Sequence, residues 1–218
     1  MLHLVLDRDA GAPLTILCLG AHSDDIEIGC GGSILRLLDA RRNTNVHWVV
    51  FGATGVRARE AARGAKYFLR HAASATVTLR QFRDGFFPYF GGAIKEEFEN
   101  LKTMTQPDLI FTHCRDDRHQ DHRLIHELTW NTWRNHLILE YEVPKYDGDF
   151  GTPNLLVPLN PAIVRRKLAA LARCFPSQSG KHWFDEDLFH AALRLRGMEC
   201  GAPSKYAEAF YARKIVGL

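Results

Sequence analysis

Residues 17–25 read LCLGAHSDD, and residues 29–32 follow with GCGG. An apolar run of this kind is typical of a buried strand, and here it leads directly into a histidine, two carboxylates and a glycine-rich segment. Open α/β sheets bind their ligands at the carboxyl ends of their strands. This stretch therefore predicts both a fold class and the position of a site.

A second stretch with the same organisation lies further along the chain. Residues 109–113 read LIFTH, and residues 116–122 read DDRHQDH. Two apolar runs that both end in His and Asp can bring their polar residues to one edge of one sheet. We therefore interpret the chain as an enzyme whose active site lies at the C-terminal ends of the strands.

Short apolar runs alternate with segments of helical period through the rest of the chain. The runs that predict strands are residues 14–19, 46–51, 75–79 and 109–112. The segments that predict helices are approximately residues 28–40, 57–70, 94–105, 121–135, 161–174 and 185–195. Such alternation favours an α/β fold, a Rossmann-like three-layer sandwich with a mostly parallel central sheet. Residues 144–158 are interpreted as loop, and residues 206–216 as an additional edge strand.

Length and composition point to an ordinary globular protein. The chain has 218 residues, of which 46% are hydrophobic and 24% charged, so we expect residues 1–218 to form a single domain. The formal net charge is only +3, from 28 basic and 25 acidic residues. The basic segment at residues 57–70 is best explained as a solvated helix face, and no nucleic-acid partner is expected.

Cysteine usage and the amino terminus bear on the cellular compartment. The five cysteines are odd in number and include no C-x-x-C pair, which argues against a disulfide framework and favours a reducing compartment. Residues 1–10 carry charges where a signal peptide needs an apolar core, and no apolar run reaches the roughly eighteen residues of a membrane span. We therefore expect a cytoplasmic protein without a transmembrane segment.

The spacing of the polar residues suits a metal ion. His22 and Asp25 are three residues apart just after a strand, so a tight turn can aim both side chains at one point. Together with His122 they would supply three ligands and leave a fourth position open for water, as in catalytic zinc sites. Two alternative ligands stay open: His126, one helical turn after His122, and His113 at the end of its strand.

The remaining polar residues offer acid–base chemistry. Asp24 cannot easily share the metal with the adjacent Asp25, but it could act as general base and take a proton from the water. His119, when protonated, could stabilise an oxyanion and pass a proton to a leaving amine. Asp121, two residues further on, could orient that imidazole or stabilise its charge.

Three motifs carry a resemblance to a known family. AHSDD at residues 21–25, GCGG at residues 29–32 and HQDH at residues 119–122 resemble the signatures of the LmbE-like (PIG-L) zinc-dependent de-N-acetylases, which remove acetyl groups from N-acetylglucosamine-containing substrates. By this resemblance the zinc ligands would be His22, Asp25 and His122, the general base Asp24 and the acid partner His119. The resemblance also implies an N-acetylated sugar or glycoconjugate as substrate and suggests a homo-oligomer.

The resemblance extends to the second helix and includes one departure. Arg57 and Glu60 resemble the Arg-x-x-Glu that follows the second strand of family members, and we assign Arg57 to contacts with sugar hydroxyls or a phosphate. Family members usually have Pro where this chain has Ser23. Proline stiffens a turn but supplies no ligand, so the departure concerns turn rigidity more than chemistry. Weaker candidates for the rim of the site are Asp84, Gly85, Lys181, His182 and Trp183.

The sequence therefore predicts a zinc-dependent hydrolase that releases acetate and a free amine from an N-acetylglucosamine-like sugar or glycoconjugate. Substrate choice is expected to reside in residues 140–183. Two alternatives stay open: a metallohydrolase acting on another bond such as a phosphate ester, which usually uses two metals, and a non-catalytic sugar- or nucleotide-binding module of the same fold. The presence of Asp24 and His119 favours catalysis, because binding alone requires no base beside a metal.

Overall fold

Strands and helices alternate along most of the computed structural model, which describes residues 11–216. The strands are β1 (Leu14–His22), β2 (Thr44–Gly52), β3 (Ser74–Leu79), β4 (Leu109–His113), β5 (Leu137–Tyr141), β6 (Leu155–Pro158) and β7 (Ala207–Ala212). The helices are α1 (Asp25–Ala40), α2 (Gly55–Phe68), α3 (Gly91–Met104), α4 (Gln120–Thr132), α5 (Pro161–Cys174) and α6 (Glu186–Glu199). The interpretation of residues 1–10 as lacking a signal peptide lies outside the described residues.

The strands form one sheet in the order β3-β2-β1-β4-β5-β7-β6. Strands β1 to β5 are parallel, and β7 runs antiparallel between β5 and β6. From β1 the chain moves outward through β2 to β3, whereas from β4 it moves outward to β5 in the opposite direction. The direction of winding therefore reverses between β1 and β4, which is the place where open α/β sheets bind ligands.

Helices cover both faces of the sheet. Helices α1, α2, α5 and α6 pack together on one face, and α3 and α4 pack on the other. Along β1, Ile16 and Cys18 join the first of the two cores, whereas Leu17 and Leu19 join the second. A strand buried on both faces needs apolar residues at successive positions, which explains the near-continuous apolar run that predicted it. The three-layer α/β fold with a mostly parallel sheet is thus confirmed.

The glycines that follow β1 let α1 approach the sheet closely. A Cβ on Gly29 would overlap the ring of Tyr141, and one on Gly32 would overlap Leu159 and Glu208. A larger residue at either position would push α1 away from its neighbours, and the turn from His22 into α1 would move with it. The GCGG segment therefore fixes the position of the site through packing.

Several predicted boundaries in the carboxyl-terminal half are wrong. Residues 144–158 are not entirely loop, because β6 lies at the edge of the sheet, and β7 is an inner strand rather than the edge strand expected for residues 206–216. Strand β5 was not predicted, because its five residues follow α4 closely and strands this short depend on their neighbours more than on their own pattern. Within residues 11–216 no helix combines the length and apolarity needed to cross a membrane.

Candidate metal centre and active site

Two neighbouring strands bring the polar clusters together. Strand β1 ends at His22, and α1 begins at Asp25. Strand β4 pairs with β1 and ends at His113, and α4 begins at Gln120, so that His122 lies in its first turn. The two clusters therefore meet at the carboxyl edge of the sheet.

Three donor atoms from His22, Asp25 and His122 lie at nearly equal separations. Nδ1 of His22 is 3.2 Å from Nε2 of His122 and 3.6 Å from Oδ2 of Asp25, and Nε2 of His122 is 3.5 Å from the same oxygen. Tetrahedral ligands at about 2.0–2.1 Å from zinc would lie about 3.3–3.4 Å from one another. The three atoms are therefore close to the positions that a tetrahedral ion requires, and none of the three side chains is more than 14% exposed.

Each of the two imidazoles has a carboxylate at its far nitrogen. Nε2 of His22 lies 3.1 Å from Oδ2 of Asp121, and Nδ1 of His122 lies 2.8 Å from Oδ2 of Asp117. A carboxylate in this position keeps the proton on the far nitrogen and leaves the lone pair of the near nitrogen available to a metal. The donor set therefore fits a metal ion in tautomer as well as in spacing.

The two alternative histidines have other partners. Nε2 of His113 lies 3.3 Å from Oδ2 of Asp25, and these two residues form a buried donor group with His122. The same nitrogen accepts the backbone N–H of Ala21 at 3.0 Å, which occupies its lone pair. His113 instead stacks on His122, with ring centroids 3.9 Å apart. Nε2 of His126 lies 3.1 Å from the buried carboxylate of Glu140. We therefore retain His22, Asp25 and His122 as the candidate ligand set.

A wider group of donor atoms surrounds the far nitrogen of His22, from Asp84, His119 and Asp121. Oδ1 of Asp84 lies 3.1 Å from Nε2 of His22, but its side chain is 77% exposed. Both oxygens of Asp121 accept backbone N–H groups from residues 85 and 87. Because Nε2 of His22 carries a proton when Nδ1 binds a metal, we interpret this group as the hydrogen-bonding shell of His22.

Asp121 has a different partner from the one that the sequence predicts. Its carboxylate contacts His22 rather than the ring of His119, and it is the backbone N–H of Asp121 that donates to Nδ1 of His119, at 3.2 Å. A neutral His119 therefore carries its proton on Nε2 and can donate it into the cavity that the ring lines. Burial and the neighbouring His22 lower the pKa of His119, which favours this neutral form over the protonated form expected from the sequence.

The electrostatics of the centre favour a positive charge. Burial by itself lowers the pKa of His22, but hydrogen bonds to Asp121 and Asp84 and the charge of Asp25 outweigh it and raise the pKa to about 10. Burial opposes ionisation of Asp25, yet His122 and the other imidazoles hold the pKa of this carboxyl well below its usual range. Burial also keeps the pKa of His122 well below its usual value. Asp25 and His122 thus have the ionised and neutral forms that metal ligands need, whereas His22, whose raised pKa keeps its ring protonated, would have to release a proton when a metal binds.

Asp24 lies beside the candidate ligands and is held by Arg57. Oδ1 of Asp24 is 2.8 Å from Nη2 of Arg57, whereas its buried Oδ2 has no hydrogen-bond partner among residues 11–216. Burial raises the pKa of Asp24 to about 6, against the opposing charge of Arg57. A positioned carboxylate with one free oxygen and a pKa near neutrality has the properties of a general base.

Arg57 is itself fixed on its other side. Its Nη1 lies 2.9 Å from Oε2 of Glu60, and Glu60 accepts two further hydrogen bonds from the backbone and hydroxyl of Ser177. The side chain of Arg57 is 22% exposed and lines the same cavity as Asp24. Arg57 therefore positions Asp24 directly while keeping part of its surface open to the cavity.

Sequence reasoning missed Asp117 and Lys145. Nζ of Lys145 lies 3.0 Å from Oδ2 of Asp117 and 2.5 Å from Oδ2 of Asp149, and although burial opposes its charge, these carboxylates raise the pKa of Lys145. Asp117 belongs to the DDRHQDH cluster, and its position five residues before His122 was an available signal. Lys145 lies in a segment interpreted as loop, where no local pattern marks it.

A cavity of about 400 Å³ opens over the candidate ligands, a size that suits a small-molecule site. Of the weaker rim candidates, Asp84, Lys181 and Trp183 line this cavity, and His182 does not. Gly85 contributes through its backbone N–H, which donates to Asp121 at 2.7 Å. Its φ of +79° lies in the left-handed region that glycine tolerates best.

Comparisons with known proteins match the part of the chain that contains the site. Residues 17–133 match the family described as "PIG-L: GlcNAc-PI de-N-acetylase". The deacetylase YaiS of Escherichia coli (strain K12), described as uncharacterized, is 30% identical over 169 residues, which cover 72% of this chain and 89% of that protein. The family match, residues 17–133, contains both polar clusters.

Solved structures of lower identity share the fold. N,N'-diacetylchitobiose deacetylase from Pyrococcus horikoshii, complexed with its inhibitor MPG, matches with a TM-score of 0.71 and 22% identity, over 90% of this chain and 82% of that chain. GalB, the 4-carboxy-2-hydroxymuconate hydratase from Pseudomonas putida KT2440, matches with a TM-score of 0.72 and 17% identity, over 94% of this chain and 98% of that chain. A deacetylase and a hydratase have this fold, so the fold does not select the reaction, and the side chains of the site must do so.

Proposed function

This chain belongs to the PIG-L family of de-N-acetylases, and from that membership we propose that it is a zinc-dependent hydrolase that removes the acetyl group from an N-acetylglucosamine-like sugar or glycoconjugate. The products would be acetate and a free amine. The observation that carries the proposal is the spacing of the donor atoms of His22, Asp25 and His122, which lie 3.2–3.6 Å apart. Two imidazoles and one carboxylate are a ligand set that catalytic zinc uses.

The proposed reaction is the attack of water on the acetamide carbonyl. His22, Asp25 and His122 would hold a divalent ion, which would supply Lewis acidity to polarise a carbonyl oxygen and lower the pKa of water. Asp24 takes the proton of the attacking water on Oδ2, the oxygen without a partner in the described chain. Arg57 holds the other oxygen, so that the free one has a fixed direction. The hydroxyl of the water stays on the acyl carbon.

His119 and Asp24 share the remaining steps. As negative charge develops on the carbonyl oxygen, the Nε2–H of His119 donates a hydrogen bond to it. A neutral His119 is a poor proton donor, so Asp24 passes the proton it has gained to the leaving nitrogen. Asp121 acts through His22 by fixing its tautomer, rather than through His119. Atoms balance, since one water is divided between acetate and amine.

The test combines zinc content with acetate release from N-acetylglucosamine and N,N'-diacetylchitobiose. In Asp24→Asn we expect wild-type zinc content and turnover reduced about 10²-fold or more, as for loss of a general base. In His122→Ala we expect loss of zinc as well as turnover. His182→Asn is a matched control, because His182 is exposed and does not line the cavity, and it should retain both.

The outcomes separate this proposal from its alternatives. Undiminished acetate release by Asp24→Asn would remove Asp24 from the mechanism. Phosphate release from sugar phosphates, without acetate release, would favour a phosphoesterase, whose two-metal sites need more ligands than the candidate set of His22, Asp25 and His122 provides. Zinc-loaded protein that binds sugars but releases nothing would be a binding module. The single domain, the cytoplasmic location and the homo-oligomer stay predictions.

A further inference from the structure

Among residues 11–216, one of the three Arg and Lys side chains that line the cavity over the candidate ligands forms no ion pair. Arg57, Lys145 and Lys181 all line it, but the first two each contact two carboxylates. Within the described chain, the side chain of Lys181 contacts no carboxylate. Its one polar interaction there is a cation–π contact with the ring of Trp183. Asp147 also lines the cavity, but it forms no ion pair with Lys181. The positive charge of Lys181 is therefore available to a ligand.

Aromatic side chains line the same cavity as this cation. Nζ of Lys181 lies 5.7 Å from the ring centroid of Trp183. Trp183 packs edge to face against Phe184, with centroids 5.6 Å apart, and Phe184 belongs to the buried core. The position of the Trp183 ring is thus set by the core. Tyr146, from the segment after β5, also lines the cavity and is 72% exposed.

We propose that Lys181, Trp183 and Tyr146 form a subsite for the part of the substrate beyond the acetamide, and that this part carries a phosphate or a carboxylate. The inference rests on the proposed function, because it assumes that the acetamide lies over the ligand triad. The apolar face of a sugar ring packs on aromatic side chains such as Trp183 and Tyr146. An anion attached to that sugar then meets Lys181 with no carboxylate competing for it. The preferred substrate is an acidic N-acetyl amino sugar rather than a neutral one.

Binding of deacetylated sugars tests the subsite without any turnover. Calorimetry on the zinc-loaded protein compares glucosamine with its 1-phosphate, its 6-phosphate and its carboxymethyl glycoside, which distinguish phosphate from carboxylate and one attachment point from another. We expect at least one anionic sugar to bind more tightly than glucosamine. In Lys181→Ala this ratio of affinities should fall about three- to fivefold, the scale of a charge contact that solvent can reach. The ratio should also fall as salt is raised.

Two further variants test whether the change in the affinity ratio is specific to Lys181. Lys102→Ala is the matched control, because Lys102 is an exposed lysine of α3 outside the cavity, and it should keep the wild-type ratio. Trp183→Leu should weaken binding of neutral and anionic sugars together. Equal affinity of the wild-type protein for neutral and anionic sugars would overturn the proposal. So would an anion preference that survives in Lys181→Ala, because the anion would then contact the metal or another group.

Failure of this inference and failure of the proposed function give different results. A Lys181-dependent anion preference without acetate release from any acetylated sugar would support the subsite and contradict the deacetylase. Acetate release combined with an affinity ratio near one would support the deacetylase and contradict the subsite.

Discussion

Replacing Asp117 by asparagine tests whether the carboxylate behind His122 supports metal binding. Oδ2 of Asp117 lies 2.8 Å from Nδ1 of His122 and 3.0 Å from Nζ of Lys145, and Oδ1 accepts the backbone N–H of His119 at 2.8 Å. Asparagine keeps the shape and a carbonyl acceptor but removes the negative charge. That charge fixes the tautomer of His122 and makes the imidazole a stronger donor to a metal.

The magnitude follows from the burial of the pair. Loss of such a supporting carboxylate weakens metal binding about 10- to 100-fold, which corresponds to about 1.4–2.7 kcal/mol. Asp117 is 1% exposed, so water cannot replace the lost charge, and we expect the upper half of this range, about 2–2.7 kcal/mol. Lys145 also loses one of its two carboxylates. That cost is common to the metal-free and metal-loaded protein and cancels in the zinc affinity.

The assay is zinc affinity by competition with a chelator, supported by thermal unfolding with and without zinc. Because a ligand stabilises the folded state according to its affinity, the zinc-induced stabilisation should shrink by the same free energy at saturating zinc. Asp116→Asn is the matched control, since Asp116 is the exposed neighbour, and its zinc affinity should stay within about twofold of wild type. Equal zinc affinities for Asp117→Asn and Asp116→Asn would refute the reasoning.

Two further predictions concern catalysis and packing. Arg57→Ala should lower kcat about tenfold or more, because Arg57 orients Asp24. Zinc content should stay at one ion per chain, because Arg57 is not a ligand. Loss of zinc from the purified variant, measured by elemental analysis, would contradict this prediction. Gly29→Ala should destabilise the fold by about 1–3 kcal/mol in urea unfolding, because the methyl group overlaps Tyr141. Gly92→Ala, in α3 with nothing within 4 Å, should stabilise it by about 0.5–1 kcal/mol, and the opposite order would count against the packing argument.

The candidate ligand set was predictable because its signals are local. His22 and Asp25 flank one turn between a strand and a helix, and His122 opens a helix after the neighbouring strand. The roles of Asp121 and Asp117 were harder to predict from the sequence. Both lie in the same short cluster, and whether a carboxylate there turns to His22, His119 or His122 depends on side-chain directions at the start of α4, which residue spacing does not reveal.

The amino-acid pattern alone predicts the alternation of strands and helices from β1 to α4 and the edge of the sheet where the polar residues gather. Strands buried on both faces must be apolar, and their ends are the first positions where polar side chains are tolerated. The folded chain was needed to see which carboxylate supports each imidazole and that Arg57 contacts Asp24. It was also needed to see that Lys145 and Lys181 line the cavity. These contacts join loops that are distant in the chain, and their geometry depends on strand order and loop paths that leave no periodic pattern in the sequence.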